Sequence, residues 1–430
     1  MRSPVRDSWI VVDEDASPIA VSDLSPEMIH YMLLGGMQSV AGWLDPGALA
    51  TLTFFSRLQA REGVGGSVAE IGVHHGRLFI ALCLLRSDSE TAVGIDVFED
   101  QHLNVDASGR GSREHLEAHL ERFVSDRQGV QVEKADSLQV EPRRLLRLVD
   151  DQPVRLFSVD GCHTATHTAS DLLLAYETLA PGGIIALDDF DNEAWPTVRE
   201  GAESALDGKL LNHLEPVAYG NNKLYLARPE WVERYRRALL DIVPLDGRGP
   251  EIQVASRRVP RIVARGLDRW LPEEEWWRLI APAAHPLRFT RNEPCPGLLV
   301  RGWCEREDTG VWSDGEESVV LLPVRSGRGV YEVGLRYEPF LPGDMLVGRS
   351  RRRLGVEAWS DERLVDRWTD ESTGPTTHRL HIERPSIARR WLELRLCFDV
   401  PSIPYEAGLS TQDHRRLAIH LREITWERLT

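Results

Sequence analysis

Short apolar segments alternate with amphipathic segments along the first half of the chain, beginning near residue 67. Each apolar segment is long enough for one buried strand, and the segment after it carries apolar residues at helical spacing. This alternation predicts an α/β domain, built on a doubly wound parallel sheet with helices on both faces. The predicted strands cover residues 67–72, 92–96, 130–135, 154–160 and 182–189.

The pattern changes near residue 286, where short segments alternate apolar and polar residues between Gly, Pro and Asp turns. Leu392, Leu394 and Leu396 show the period of two that is typical of strands with one buried face. The last part of the chain is therefore predicted to be an antiparallel β-sandwich. We predict four regions: an N-terminal arm and helix (1–44), the α/β domain (45–228), a helical connector (229–285) and the β-sandwich (286–430).

Composition favours a globular protein of the cytoplasm. The 430 residues exceed one ordinary core, and 42% of them are hydrophobic. No run of about 18 apolar residues predicts a membrane span, and the N-terminus lacks the apolar core of a secretory signal. The five cysteines are scattered without a CxxC pair, which favours reduced thiols and predicts a cytoplasmic location.

Charge excludes one class of partner. The formal net charge is −16, and a surface this acidic repels phosphate backbones. We therefore expect no nucleic-acid partner, whereas a homo-oligomer is compatible with the composition.

A glycine turn follows the first predicted strand. Gly72 and Gly76 allow the backbone to approach a ligand closely, and Asp96 ends the next strand. In doubly wound sheets ligands bind beyond the carboxyl ends of the strands, where an acid can accept hydrogen bonds from ribose hydroxyls. Asp136 and Ser137 end the third strand, a position that suits recognition of an adenine edge.

Three nucleotide-binding interpretations compete for this turn. A P-loop needs the lysine of GxxxxGK[ST], and a dinucleotide site needs the middle glycine of GxGxxG; both are absent here. S-adenosylmethionine (SAM) has no phosphate, and the ExGxxxG arrangement that starts at Glu70 fits it. The alternative interpretation is that Gly72 and Gly76 only form a tight turn and that Asp96 is an unrelated strand-end acid.

The same segments resemble a known enzyme family. The sequences VAEIGVHHGRLFIAL, AVGIDVFEDQ and LFSVDGCHTATHTASDLLLAYETLAPGGIIALDDF are similar in order and spacing to class I SAM-dependent methyltransferases. They resemble most closely the metal-dependent O-methyltransferases of the macrocin and cephalosporin-tailoring type, over about residues 65–195. The resemblance implies a Rossmann-like fold, SAM as the cofactor, and contacts to SAM from Glu70, Gly72, Gly76, Asp96, Asp136 and Ser137.

Acidic residues end the fourth and fifth predicted strands. Asp160 follows the fourth, and Asp188 and Asp189 end the fifth. If the two strands are neighbours they lie about 4.8 Å apart, so the three carboxylates converge at one sheet edge. Clustered carboxylates are unfavourable unless they are protonated or bridged by a cation, and oxygen ligands suit Mg²⁺ or Mn²⁺. The alternative for Asp188 and Asp189 is a turn or a helix cap.

His163 follows Asp160 by three residues and therefore belongs near the same edge. A neutral imidazole is a suitable general base for a hydroxyl whose oxygen a divalent ion activates; the alternative is a hydrogen-bonded packing histidine. The resemblance implies metal ligation by Asp160, Asp188 and Asp189 and a catalytic base at His163. Asp188 stands where relatives often carry Glu, and the shorter side chain would weaken or shift the metal.

Two further features suggest how an acceptor is held. Residues 101–111 form a long polar segment with glycines, predicted to be either a lid over the strand ends or a disordered surface loop. Phe190 and Trp195 follow the acid pair, and their aromatic rings suit either an acceptor pocket or core packing.

The C-terminal region carries its own, weaker resemblance. Arg301-Gly302-Trp303 and the segment 310–315 (GVWSDG) resemble a β-sandwich module of bacterial surface-polysaccharide enzymes, which implies glycan or partner binding. The alternative is a structural or dimerising module with core tryptophans.

Three functions follow from these features. The leading hypothesis is an O-methyltransferase that acts on a hydroxyl of a sugar or surface glycan. The second is the same chemistry on a phenol, a catechol or a secondary metabolite. The third is a non-catalytic SAM-fold scaffold that binds glycans through its sandwich.

Overall fold

The structure is a computed structural model, and its internal contacts divide the chain into two compact units that are described separately. The first unit contains Gly42–Pro272 with the described residues before Ser25, and the second contains Ser25–Ala41 with Glu273–Thr430. Residues 1–18 of the predicted N-terminal arm lie outside the described residues. The described residues are 19–243, 247–264, 266–284, 286–291, 293–296, 298–341, 353–384, 390–404, 407, 409–410 and 412–429.

The described residues of the first unit include one nine-stranded sheet, which is flanked by helices. Its strands in chain order are β1 (Ser67–Ile71), β2 (Ala92–Asp96), β3 (Val130–Lys134), β4 (Val154–Val159), β5 (Leu179–Asp188), β6 (Glu215–Gly220), β7 (Lys223–Ala227), β8 (Arg248–Val254) and β9 (Arg257–Ile262). Their spatial order is β3-β2-β1-β4-β5-β7-β6-β9-β8. The first five strands pair in parallel, and β7 runs antiparallel to β5.

The predicted α/β class is confirmed by this arrangement, which is a mostly parallel, mixed sheet. β1 lies between β2 and β4, so the winding of the chain changes direction at its carboxyl end. Ligands of doubly wound folds bind at such a switch point. The topology therefore places the turn after β1 and the end of β4 at the edge where a site is expected.

Several helices begin after a residue whose side chain accepts one of their free N–H groups. Thr164 caps the helix Ala165–Thr178 by accepting the His167 N–H, and the Asp45 carboxylate accepts the Gly47 N–H at 2.7 Å at the start of the helix Pro46–Arg61. None of the helices that the structure describes is both long and apolar enough to span a membrane. The helices are α1 (Pro26–Met28), α2 (Pro46–Arg61), α3 (Arg77–Leu85), α4 (Arg113–Phe123), α5 (Pro142–Leu148), α6 (Ala165–Thr178), α7 (Pro196–Asp207), α8 (Pro229–Ile242) and α9 (Glu273–Ala284).

Residues 229–285, for which sequence predicts a helical connector, contain strands as well as helices. α8 and α9 are helical, but β8 and β9 lie between them and extend the first sheet through a parallel pairing of β9 with β6. The boundaries of the four predicted regions stay predictions.

The second unit is built on two antiparallel sheets, as the period of two predicts. Their inward residues, such as Val333 and Leu335 on one sheet and Leu394 and Leu396 on the other, share one hydrophobic core. The remaining strands are β10 (Leu287–Arg288), β11 (Leu298–Arg301), β12 (Trp303–Arg306), β13 (Val311–Ser313), β14 (Glu317–Pro323), β15 (Gly329–Pro339), β16 (Leu354–Ser360), β17 (Arg363–Asp370), β18 (Thr376–Arg384), β19 (Trp391–Phe398) and β20 (Ile419–Arg428). The sheets have the orders β12-β13-β20-β15-β18, with β10 beside β20, and β11-β14-β19-β16-β17.

Candidate active site at the carboxyl edge of the α/β sheet

The turn after β1 has a backbone that only glycine adopts easily. Gly72 and Gly76 have φ values of +86° and +94°, in the left-handed region. A Cβ on Gly72 would lie 1.6 Å from the carbonyl oxygen of Asp160, so the ends of β1 and β4 are in direct contact there. This close approach joins the predicted cofactor turn to the predicted metal ligand.

Glu70 lies beneath this turn as a buried carboxyl group. Only 2% of the residue is exposed, and its Oε2 has no hydrogen-bond partner. Burial, followed by the neighbouring carboxylate of Asp160, raises the pKa of Glu70 well above its usual range. An unpaired buried oxygen is unfavourable, so this atom is available to a donor from a bound molecule.

Asp96 ends β2 with its carboxylate fixed by backbone groups. Its two oxygens accept the N–H groups of His74 at 2.7 Å and of Phe98 at 2.6 Å. Burial raises the pKa of Asp96, and these hydrogen bonds oppose the rise. Each carboxylate oxygen has a second lone pair, so Asp96 keeps the capacity to accept further hydrogen bonds.

Asp136 and Ser137 lie after β3, and the structure assigns them a local role. The Asp136 carboxylate accepts the Leu138 N–H at 3.0 Å and caps the short helix Ser137–Gln139. Ser137 is buried beside Asp171, a carboxyl group of α6 that is 1% exposed. Burial raises the pKa of Asp171 to about 7.

Asp160, His163 and Asp189 form the candidate metal cluster. One ligand atom from each of the three residues lies within 4.8 Å of the other two. Asp160 follows β4, and Asp189 follows β5, the neighbouring parallel strand. The structure thus brings together two of the three predicted metal ligands with the predicted base.

Asp188, the third predicted ligand, has a lysine partner instead. Its Oδ2 lies 2.9 Å from the Nζ of Lys223, which is 2% exposed at the start of β7. Its Oδ1 accepts hydrogen bonds from the Asn222 amide at 3.1 Å and from the Asp189 N–H at 3.0 Å. Lys223 is therefore a built-in counterion at this edge.

The pKa of Asp160 also reflects the role of Lys223 as a counterion at this edge. Burial and then the carboxylate of Asp188 raise the pKa of Asp160 well above its usual range, while Lys223 opposes the rise. Four acidic groups and one lysine thus share the edge, namely Glu70, Asp160, Asp188, Asp189 and Lys223. An added cation would reduce the excess of negative charge.

His163 is clamped between two carboxylates. Its Nδ1 lies 2.7 Å from Asp106 Oδ2, and its Nε2 lies 2.9 Å from Asp189 Oδ2. Burial lowers the pKa of His163, but the hydrogen bonds with Asp189 and Asp106 outweigh burial and raise it to about 9. Burial opposes ionisation of Asp106 and Asp189, yet their hydrogen bonds lower both pKa values to about 2.

Asp106 belongs to the segment 101–111, predicted to be either a lid or a disordered loop. The segment is ordered by its own hydrogen bonds: Asp106 Oδ1 accepts the N–H and hydroxyl of Ser108 at 2.9 and 2.7 Å. The Asn104 amide donates to the Ser108 carbonyl at 2.6 Å. Sequence reasoning missed Asp106 and Lys223 as site residues, because one lies in an irregular loop and the other in an ordinary apolar strand.

The two aromatic residues after the acid pair have different surroundings. Trp195 stacks on His163, with ring centroids 4.4 Å apart and an angle of 16° between the planes. Phe190 is 1% exposed and belongs to the hydrophobic core. Trp195 is therefore the aromatic residue that lines the cluster.

Comparison with known proteins identifies the domain that carries this edge. Residues 69–190 match a family model described as a methyltransferase domain. That range contains the glycine turn, Asp96 and all three residues of the candidate metal cluster. The chain therefore contains a methyltransferase domain and is a methyltransferase. No curated protein matches it.

Solved structures similar to the chain include several O-methyltransferases. The O-methyltransferase NovP is 14% identical, covers 47% of this chain and 97% of its own, and has a TM-score of 0.39. CalS11, a TDP-rhamnose 3′-O-methyltransferase of calicheamicin biosynthesis, is 20% identical over 48% of this chain and 96% of its own, with a TM-score of 0.31. An O-methyltransferase from Bacillus cereus in complex with SAH is 16% identical over 46% and 88%, with a TM-score of 0.33.

Proposed function

We propose that this chain transfers the methyl group of SAM to a hydroxyl of a sugar or surface glycan, assisted by a divalent cation. The observation that carries the proposal is the meeting of Asp160, His163 and Asp189 beside the glycine turn at Gly72. A methyl donor in that turn and a hydroxyl at the cluster would face each other across one sheet edge. Close, fixed placement of two reactants supplies much of the acceleration of a bimolecular transfer.

The residues at the glycine turn fit SAM. Gly72 and Gly76 leave no room for side chains, so a ligand meets bare backbone there. The unpaired Glu70 Oε2 suits the amino group of the methionine part, and Asp96 suits the ribose hydroxyls. Asp136 and Ser137 are assigned to the adenine end, because they follow the adjacent strand β3.

The donor set of the cluster fits Mg²⁺ or Mn²⁺. Asp160 and Asp189 would hold the ion through carboxylate oxygens, with His163 beside them. A bound divalent ion would supply a Lewis acid that makes an aliphatic hydroxyl easier to deprotonate. Asp188 is left with Lys223, so we assign it a supporting role rather than ligation.

His163 is assigned as the base, with its orientation set by Asp106. Asp106 accepts a hydrogen bond from the Nδ1–H group, which leaves Nε2 as the atom directed at the cluster. Asp189 stabilises a proton on Nε2, so His163 is protonated at neutral pH while both carboxylates are free to bind it. If Asp189 instead held a cation, it would no longer stabilise that proton, and a neutral Nε2 would be able to accept the hydroxyl proton.

Trp195 provides the first contact for the acceptor. Its ring lies parallel to the His163 imidazole, so a sugar ring whose hydroxyl reaches His163 also meets an indole edge or face. A flat phenolic acceptor would use the same surface. The experiment must therefore compare both classes.

The test is product formation by the full chain with SAM and Mg²⁺. Methyl glycosides of rhamnose, fucose, mannose, glucose and galactose form one panel, and catechol and caffeate form the other. The proposal predicts that a glycoside gains the mass of one methyl group and that Asp189→Asn abolishes the gain. Asp191→Asn is the matched control, since Asp191 pairs with Arg199 at 2.7 Å on the surface. Methylation of the phenols alone would contradict the sugar assignment.

A further inference from the structure

Trp43 is an indole that the fold leaves in solvent. It is 81% exposed, the highest value among the large apolar side chains of the described residues. An indole this exposed offers a large apolar face that a bound molecule can cover. Trp43 belongs to a short segment, Gly42–Asp45, that leads into α2.

One end of this segment is fixed to the cofactor turn. The side chain of Arg77, the first residue of α3, donates a hydrogen bond to the Gly42 carbonyl. The ring of Trp43 lies 5.8 Å from the ring of His74, at an angle of 41°. His74 is part of the glycine turn, and its N–H is bound by Asp96. Trp43 is therefore adjacent to the proposed methyl donor.

The other end is fixed to the acid pair. Asp45 Oδ1 accepts the amide of Asn221 at 2.9 Å, in addition to capping α2. The next residue, Asn222, donates its amide to Asp189 Oδ1 at 2.7 Å. The segment thus connects the turn between β6 and β7, which orients Asp189, with the turn that follows β1.

From this placement we propose that Trp43 is a specificity residue for the acceptor, and that its exposed indole stacks on a saccharide ring. The inference rests on the proposed function and deepens it. Because both ends of the segment are anchored, the backbone that carries the indole is fixed before the acceptor arrives, which reduces the entropy lost on binding. An indole face packs well against the C–H face of a sugar ring, while its hydroxyls stay hydrated.

Trp43 and Trp195 would have different roles in binding the acceptor. Trp195 stacks on His163, so it would contact the sugar ring that carries the methylated hydroxyl. Trp43 lies beside His74 of the glycine turn. It therefore supports binding of the acceptor without taking part in proton transfer, and its loss should change KM rather than kcat.

The test compares Trp43→Ala, Trp43→Phe and wild type as full chains, with the glycoside panel as acceptor. We expect Trp43→Ala to raise KM for the accepted glycoside about tenfold, equal to about 1.4 kcal/mol. Its kcat and its affinity for SAM in calorimetry should stay unchanged. Trp43→Phe keeps an aromatic face and should restore most of the binding.

A control variant separates this effect from a general loss of apolar surface. Leu211 is 42% exposed and follows α7, whose chain runs away from the carboxyl edge, so Leu211→Ala should leave KM unchanged. An unchanged KM in Trp43→Ala overturns the inference while the proposed function stands. If wild type binds SAM but methylates none of the glycosides, the saccharide class and the inference both fail. Failure to bind SAM would instead reject the proposed function itself.

Discussion

The Nδ1 of His163 lies 2.7 Å from Oδ2 of Asp106, a residue of the loop above the sheet edge. The same carboxylate oxygen accepts the backbone N–H of His163 at 2.6 Å, so one loop residue fixes both the ring and the main chain of the histidine. In the proposed mechanism, this contact with the loop 101–111 sets the orientation of the base.

Asp106→Asn should therefore lower activity without removing SAM binding. The amide cannot hold the Nδ1 proton as a carboxylate does, and partners of this kind typically contribute about 10- to 100-fold to activity or metal affinity. The pKa of His163 should fall, so the limb of the pH–rate profile that reports it should move to lower pH. The measurement is kcat against pH, with Asp100→Asn as a control because Asp100 pairs with Lys134 on the surface. An unshifted profile of kcat against pH would show that Asp106 does not raise the pKa of His163.

The stability of the protein should depend on pH through His163. Its pKa is raised from 6.5 to about 9, so the folded state binds the proton more tightly than the unfolded state. The resulting stabilisation is complete below about pH 6.5 and is lost as the pH rises through about 9. Urea denaturation between pH 6 and 9.5, without divalent cations, should show this loss in wild type and not in His163→Gln. Equal slopes of unfolding free energy against pH in the two proteins would contradict the stabilisation of protonated His163 by Asp106 and Asp189.

Lys223→Met should destabilise the first unit by about 3–5 kcal/mol, the usual cost of breaking a buried ion pair on one side. The substitution leaves the Asp188 carboxylate without the ammonium 2.9 Å away. Adding Asp188→Asn should restore part of the loss, because the pair is then removed as a whole. The free energy of unfolding in urea measures both variants, and a loss below about 1 kcal/mol would show that the pair contributes little.

Gly72→Ala and Gly63→Ala form a matched pair at positive φ. Both glycines are left-handed, but a Cβ on Gly63 meets no atom within 4 Å, whereas one on Gly72 meets the Asp160 carbonyl at 1.6 Å. Gly63→Ala should cost about 1–2 kcal/mol from the backbone alone. Gly72→Ala should cost about 2–5 kcal/mol and weaken SAM binding, because the Asp160 carbonyl must move away from the new Cβ. Similar unfolding free energies for the two variants would contradict the close approach.

Much of the edge could be predicted from the sequence because strand ends are readable. Apolar runs located β1 to β5, and the residues that directly follow such runs in a parallel sheet must meet at one edge. That logic led to Gly72, Asp96, Asp160 and Asp189, all of which the structure places there. Their roles toward SAM and a metal stay predictions.

The remaining residues depend on contacts that periodicity does not encode. Lys223 is one polar residue at the start of an apolar strand, and only the antiparallel pairing of β7 with β5 sets it opposite Asp188. Asp106 lies in a loop without a repeating pattern, so its contact with His163 depends on the path of the loop. β8 was missed because its residues are largely polar and exposed, as expected for a strand at the edge of a sheet.

Binding of Mn²⁺ followed by electron paramagnetic resonance tests the central claim most directly, in wild type, Asp189→Asn and Asp188→Asn. The arrangement of Asp160, His163 and Asp189 predicts one bound ion in wild type and its loss in Asp189→Asn. Asp188→Asn should retain the ion, because Asp188 faces Lys223. Wild-type binding by Asp189→Asn, or loss of the ion in Asp188→Asn alone, would contradict the account.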